Sequence, residues 1–359
     1  MNNQNDYNDN KKITYHEQTD ISNILKLREV LKTLPPFCRD YFRAMDPVTT
    51  TNTRISYAYD IRIFFQFLLD ENPAFKNYSL KDFTVDVLDQ LKAVDIEEYL
   101  EYLKVYKNGD KTETNGERGM KRKLSALRSF YAYYFKHEFI KTNPTVLVDV
   151  PKIHDKSIIR LDSDEVALLL DHIEHCGDEL TGQKRAYYEK TKERDLAIVT
   201  LLLGTGIRVS ECVGLDVEDI DFKNNGIKIT RKGGNEMVVY FGSEVEQALR
   251  QYLTVREGVT PVTGHEHALF YSTQRKRIGI QAVENLVKKY ARAITTTKKI
   301  TPHKLRSTYG TALYQETGDI YLVADVLGHR DVNTTKKHYA AMDDARRRKA
   351  ASAVHLRED

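Results

Sequence analysis

Cysteine is scarce in this 359-residue chain: Cys38, Cys176 and Cys212 are the only ones, far apart and odd in number. That excludes a disulfide framework and a paired-cysteine metal knuckle, and a reducing compartment follows. Long apolar runs are missing too, since none approaches the roughly 20 residues a helix needs to cross a bilayer. The opening decapeptide, MNNQNDYNDN, lacks the basic and apolar regions of a signal peptide. A cytosolic protein with no membrane partner is therefore expected. No short-spaced histidine motif such as His-Glu-x-x-His occurs, so neither a metal nor another cofactor is expected. A strong net charge is absent as well: 55 Lys and Arg against 52 Asp and Glu leave +3. This balance neither demands nor excludes nucleic acid, because charges of both signs can still be segregated into one basic face.

What is present reads as two domains, each long enough to bury a core, with a mainly α fold. Residues 1–20 form a polar tail. From 21 to 150 we expect a helical bundle with no strand. Its helices run from Ile21 to Leu34, stopped by Pro35-Pro36, from Thr49 to Leu69, from Ile96 to Tyr106 and from Met120 to Phe135. Basic residues recur on its faces: Arg54 and Arg62 on one helix, and Lys121, Arg122, Lys123 and Arg128 in MKRKLSALRSFYAYYF. Such faces suit a DNA backbone. Pro144 and Pro151 bracket a linker over 151–160, and the pair Asp162 and Glu165 has the spacing of a capping box. The second domain, 161–342, then mixes helices with a small sheet. A polar stretch from Gly177 to Thr191 reads as a long loop, and Arg194 to Leu203 as an apolar helix closed by Gly204-Thr205-Gly206. The runs IKIT and MVVYF around RKGGNE read as a hairpin carrying Arg231 and Lys232. Helices from Glu244 to Arg256 and Gly279 to Ala293 flank a short strand, Ala268 to Tyr271. A further basic group, Arg275, Lys276 and Arg277, follows that strand.

The chemistry concentrates in TPHKLRSTYGTALYQETGDIYLVADVLGHRDVNTTKKHY, residues 301–339. Thr-Pro starts a helix that places His303 and Arg306 on one face, three residues apart. A second short helix, Ile320 to Leu327, stops at Gly328; His329 stands just beyond it and Tyr339 ten residues further. Arginine donates in a fork that matches phosphate oxygens, imidazole donates or moves a proton, and a phenol attacks phosphorus. The set suits a phosphodiester.

His303-Lys304-Leu305-Arg306, Leu327-Gly328-His329 and Tyr339 resemble the carboxy-terminal signature of the tyrosine recombinases. GTGIRVSECVGL resembles that family's first arginine box, at Arg208, and RKGGNEMVVYF its lysine hairpin, at Lys232. In that hairpin Asn235-Glu236 replace the family's basic pair, no proline follows Val239, and Ser307 stands where many members carry a second histidine. Within the family the chain is most similar to the Xer-type single recombinases of streptococci and lactococci.

The resemblance implies an amino-terminal helical core-binding domain and a mixed-α catalytic domain that together clamp duplex DNA. It implies strand cutting without ATP by Tyr339 through a 3′-phosphotyrosine. Arg208 and Arg306 would bind the non-bridging oxygens, Lys232 would protonate the leaving 5′-oxygen, His303 would move the tyrosine proton and His329 would donate to phosphate. It further implies a homotetramer on two recombination sites, resolution of chromosome dimers at cell division, and dependence on a septum-located DNA translocase. Residues 343–359 would form a tail that docks on a neighbouring protomer. Two alternatives stay open at this level: an integrase of a phage or conjugative element, and a DNA-binding protein that does not cut.

Overall fold

In the computed structural model, residues 14–152, 154, 158–231, 234–328 and 332 are described. They divide into two compact units, residues 1–155 and 156–359.

The first unit is built on aromatic packing. Helix α1 (Tyr15–Leu31) is followed by α2 (Cys38–Ala44), α3 (Thr51–Glu71), the single turn α4 (Val87–Gln90), α5 (Ala93–Tyr102) and α6 (Glu117–Lys136). On α3, Ile55, Ala58, Ile61, Phe64, Phe65 and Leu68 recur at helical spacing and are all buried. Leu124, Leu127, Phe130, Tyr131 and Tyr134 do the same on α6. Phe65 meets Phe37, Phe83 and Phe130 edge-on at ring separations of 6.0, 5.1 and 6.3 Å. Edge-to-face pairs add roughly 0.5–1.5 kcal/mol to the value of the buried area itself.

The short helices α2 and α4 were not expected, and two further elements differ from the expectation. Helix α1 begins at Tyr15, inside the polar tail, because Thr14 and Glu17 form a capping box: Glu17 N donates to Thr14 Oγ1 at 3.3 Å and Thr14 N to Glu17 Oε2 at 2.8 Å. The helix read from Ile96 to Tyr106 stops at Tyr102. Its continuation is a hairpin, β1 (Val105–Asn108) paired antiparallel with β2 (Lys111–Thr114), turning at Gly109 with φ +62°. Tyr106 is the one buried residue in the two strands, so no apolar alternation announced them.

The second unit gathers around α8 (Gly182–Thr205), whose Ala197, Ile198, Val199, Leu201 and Leu202 are buried on all sides. Around it lie α7 (Ser163–His175), α9 (Val209–Gly214), α10 (Ser243–Glu257), α11 (Ile280–Ile294), α12 (Pro302–Thr317) and α13 (Ile320–Leu327). Strands β3 (Ile220–Asp221), β4 (Gly226–Thr230) and β5 (Glu236–Tyr240) form an antiparallel sheet in that order, with Thr230 opposite Glu236. The expected capping box of Asp162 and Glu165 starts α7. The segment from Ala268 to Tyr271 makes only isolated bridges, to Asp216 and Arg277.

Most of the stretch read as a loop, Gly177 to Thr191, belongs to α8. Its exposed residues include Gln183, Lys184, Arg185, Glu189 and Lys190, and the helix is anchored by Tyr188, whose hydroxyl donates to the Ile173 carbonyl at 3.0 Å and also to that of Glu174. A Cβ on Gly177 would lie 2.1 Å from the Tyr188 ring, so the tyrosine takes the space glycine leaves. No helix among the described residues is long and apolar enough to cross a membrane.

Candidate active site

Helix α13 starts on Asp319, whose carboxylate accepts from Tyr321 N at 2.8 Å and Leu322 N at 3.1 Å. It ends at Gly328 in the left-handed conformation, φ +61°. The last carbonyls of a helix have no partner within it and form the negative end of the macrodipole. Here three arginines supply the partners. Arg231 donates to Val326 O at 2.8 Å and to Asp325 O at 3.4 Å, Arg306 donates to Leu327 O, and Arg208 donates to Gly328 O at 3.3 Å. Four consecutive carbonyls, immediately before His329 in the sequence, thus carry three guanidinium groups.

Each arginine reaches this point by local rules. Arg208 is the N-cap of α9, and the Glu211 carboxylate three residues on accepts from both its backbone and its side chain. Its backbone N donates to Glu211 Oε2 at 2.7 Å and its Nη1 to Oε1 at 2.8 Å. The Glu211 side chain is 4% exposed against 36% for Arg208, so a buried carboxylate holds a partly open guanidinium. Arg306 is buried on α12 and also donates to the Gly206 carbonyl. Gly206, the C-cap of α8 at φ +63°, allows this approach: a Cβ there would lie 2.3 Å from Tyr309 and 3.0 Å from Leu327. His303, one turn before Arg306 on the same helix, is exposed.

Arg231 closes the end of β4, where its N donates to Asn235 O at 2.8 Å and its O accepts from Gly234 N at 3.0 Å. Burial, and then the neighbouring charge of Arg208, lowers its pKa, while Glu211 and Asp325 pull the other way. The guanidinium lies over Gly328, where a Cβ would stand 1.7 Å from its Nη1.

Of the six residues singled out for chemistry, the structure therefore brings Arg208 and Arg306 together at one helix end, with His303 on the helix of Arg306. Lys232, His329 and Tyr339 lie outside the described residues. Glu211 was not singled out in the sequence, although its place three residues after Arg208 is the spacing of a helical ion pair. Nor was the grip of Arg231 on α13, for which no local pattern exists.

The nine basic residues proposed for DNA divide into two sets. Lys121, Arg275 and Lys276 are exposed, and Arg62 stacks over the Tyr59 ring at 4.9 Å. The others hold the fold. Arg122 forks onto the buried Asp60, with Nη2 to Oδ1 at 2.8 Å, and buried Lys123 donates to Asn115 at 2.9 Å while lying 3.8 Å from Asp60. Arg128 donates to the carbonyls of Thr145 at 3.1 Å and Val148 at 2.6 Å. Arg54 pairs with Asp46 and bonds Thr51 at 3.2 Å. Arg277 pairs with Asp216 and donates to Val213 O and Leu215 O at 3.1 and 2.7 Å. Arg122 alone among these keeps about half its side chain exposed, at 48%.

With that geometry in hand, comparison with known proteins defines the class. The model of the phage integrase family matches residues 160–346. The chain is 32% identical to tyrosine recombinase XerC of Caldanaerobacter subterraneus subsp. tengcongensis over 93% of this chain and 91% of the relative. It is 31% identical to tyrosine recombinase XerS of Lactococcus lactis subsp. cremoris over 88% of this chain and 93% of the relative. In fold it is similar to the XerH site-specific recombinase in a post-cleavage complex with its palindromic difH substrate, with a TM-score of 0.61, 22% identity and coverage of 84% of this chain and 79% of that one.

The chain belongs to the phage integrase family and is a tyrosine-type, site-specific DNA recombinase. The expected fold, mainly helical with a small antiparallel sheet in the catalytic part, is the one found.

Proposed function

We propose that this recombinase resolves chromosome dimers by cutting and rejoining DNA through a 3′-phosphotyrosine. The observation that carries the reading is the convergence of Arg208 and Arg306 on the end of α13, directly ahead of His329, which itself stands ten residues before Tyr339 in the sequence. Two fixed cations there suit the charge that builds on the non-bridging oxygens as phosphorus becomes pentacoordinate, and such stabilisation is strongest when the donors are held before the reaction.

The Tyr339 oxygen attacks the scissile phosphorus. The bond to the 5′-oxygen breaks, and the energy of that bond is kept in the phosphotyrosine, so no ATP is consumed. His303 takes the phenolic proton, Lys232 gives a proton to the leaving 5′-oxygen, and His329 donates to a phosphate oxygen. Arginines and a lysine supply the charge that a metal supplies in other phosphoryl-transfer sites.

Residues 21–150 act as the core DNA-binding domain, 161–342 as the catalytic domain, and 151–160 as the linker, with 343–359 docking on a neighbouring protomer. Lys121, Arg62, Arg275, Lys276 and the exposed part of Arg122 contact phosphates, which contribute most of the affinity and none of the sequence reading. Four protomers join two sites in the cytoplasm, and a septum-located translocase aligns them. Relatives named as Xer recombinases match nearly the whole chain, which supports this chromosomal role over integration of a mobile element.

The test is Tyr339→Phe, which removes only the nucleophilic oxygen. The variant should bind its site and form no covalent adduct on a suicide DNA substrate. An adduct at the wild-type level would assign the nucleophile elsewhere.

A further inference from the structure

Arg231 is not one of the six residues given a chemical role above, yet it joins the β4–β5 hairpin to the end of α13. It lies at the end of β4, directly before Lys232 in the sequence, and its guanidinium reaches across to Val326 O and Asp325 O on α13. The hairpin tip is otherwise closed by two backbone bonds, Arg231 N to Asn235 O and Gly234 N to Arg231 O. Those bonds fix the turn but not its position relative to α13.

The contact is specific in shape as well as charge. The fork spans two successive carbonyls, which an ammonium cannot do with the same geometry. Gly328 leaves the space that the guanidinium fills. Placing a third cation beside Arg208, with its Nε buried and unpartnered among the described residues, is costly, as the lowered pKa of Arg231 also indicates. A residue needed only to cap α13 would not have to come from a hairpin some 95 residues away in sequence.

We propose that Arg231 is a positioning residue: by clamping the β4–β5 hairpin to the carboxy-terminal carbonyls of α13, it sets where Lys232 stands relative to the phosphate held by Arg208 and Arg306. The proposal rests on the general-acid reading of Lys232. In this role Arg231 acts through Lys232 and touches neither phosphate nor the leaving oxygen. Its loss should therefore damage the one step that Lys232 serves and leave phosphate binding intact.

Full-length Arg231→Ala, Arg231→Lys and Lys232→Ala are compared with wild type on suicide DNA carrying either the normal 5′-oxygen or a bridging 5′-sulfur, which leaves without a proton. On oxygen, Arg231→Ala should be slowed on the order of 10- to 100-fold, the effect of a catalytic group displaced by about 1 Å. On sulfur it should run near the wild-type rate, with unchanged DNA affinity, and this also shows that the variant is folded. Should the alanine variant fail to fold, Arg231→Lys decides: it should show a smaller loss on oxygen with the same recovery on sulfur.

Wild-type cleavage of oxygen by both variants overturns the proposal. So does a defect that sulfur fails to rescue while Lys232→Ala is rescued, which would make Arg231 a phosphate ligand or a purely structural residue. If Lys232→Ala itself is not rescued, the general-acid reading fails first and carries the proposal down with it.

Discussion

Gly206 is where backbone conformation and active-site geometry meet, and its replacement by alanine separates two costs. At φ +63° an L-residue loses roughly 1–2 kcal/mol through contact of its Cβ with the following carbonyl. The new Cβ would also lie 2.3 Å from Tyr309 and 3.0 Å from Leu327, two side chains on helices that pack here, and overfilling of this kind costs typically about 1–3 kcal/mol. Gly206→Ala should therefore destabilise the second unit by roughly 2–5 kcal/mol. Gly182→Ala is the matched control, with φ +57° and nothing within 4 Å of where its new methyl would stand, so only the backbone cost applies. In both variants alanine stiffens the unfolded chain equally, and that contribution cancels in the comparison. Hydrogen exchange of the α8 amides in the full chain, read across a urea series, measures the difference, which should be about 1–3 kcal/mol. Because the Gly206 carbonyl also holds Arg306, Gly206→Ala should lose covalent-adduct rate on the order of 10²-fold, the cost of a catalytic group moved by about 1 Å. Gly182→Ala should cleave normally. Equal destabilisation by the two substitutions, or normal cleavage by Gly206→Ala, would refute the reasoning.

Three further outcomes follow from the site and the first unit. Asp60 is buried, and burial raises its carboxyl from 3.8 to about 6 despite Arg122 and Lys123 beside it. The folded state then holds a proton that the unfolded state has released, so stability of the first unit should fall as pH rises from about 4 to 6, by about 3 kcal/mol in all; Asp60→Asn should flatten that slope in urea titrations. Lys232→Ala should cut normal DNA slower by a factor on the order of 10²–10⁴ and recover on the 5′-sulfur substrate, whereas Arg208→Ala should not recover. Strand cutting should proceed in excess chelator, and a strict magnesium requirement for cleavage rather than for synapsis would overturn a mechanism built on cationic side chains.

Much of this protein could be read from local pattern. The apolar stripes of α3 and α6 needed only helical spacing, α7 only the Asp162 and Glu165 box, and β4 and β5 only two β-rich runs around a Gly-Gly turn. The ordered motifs at Arg208, Arg306, Leu327-Gly328 and Tyr339 pointed to the family, because residue types at set spacings are properties of the chain itself. The first-unit hairpin escaped because its strands bury a single side chain, and the start of α8 because polar residues on an exposed helix face look like those of a loop. Tertiary structure alone decided the use of each cation. Lys123 and Arg128 sit in the same basic stretch as Lys121, yet the first two bond Asn115 and the carbonyls of Thr145 and Val148 while Lys121 faces solvent. Likewise, nothing near Arg231 in sequence announces the carbonyls of α13. A charge is written in the chain, but its partner is chosen by whichever buried oxygen the fold would otherwise leave unpaired.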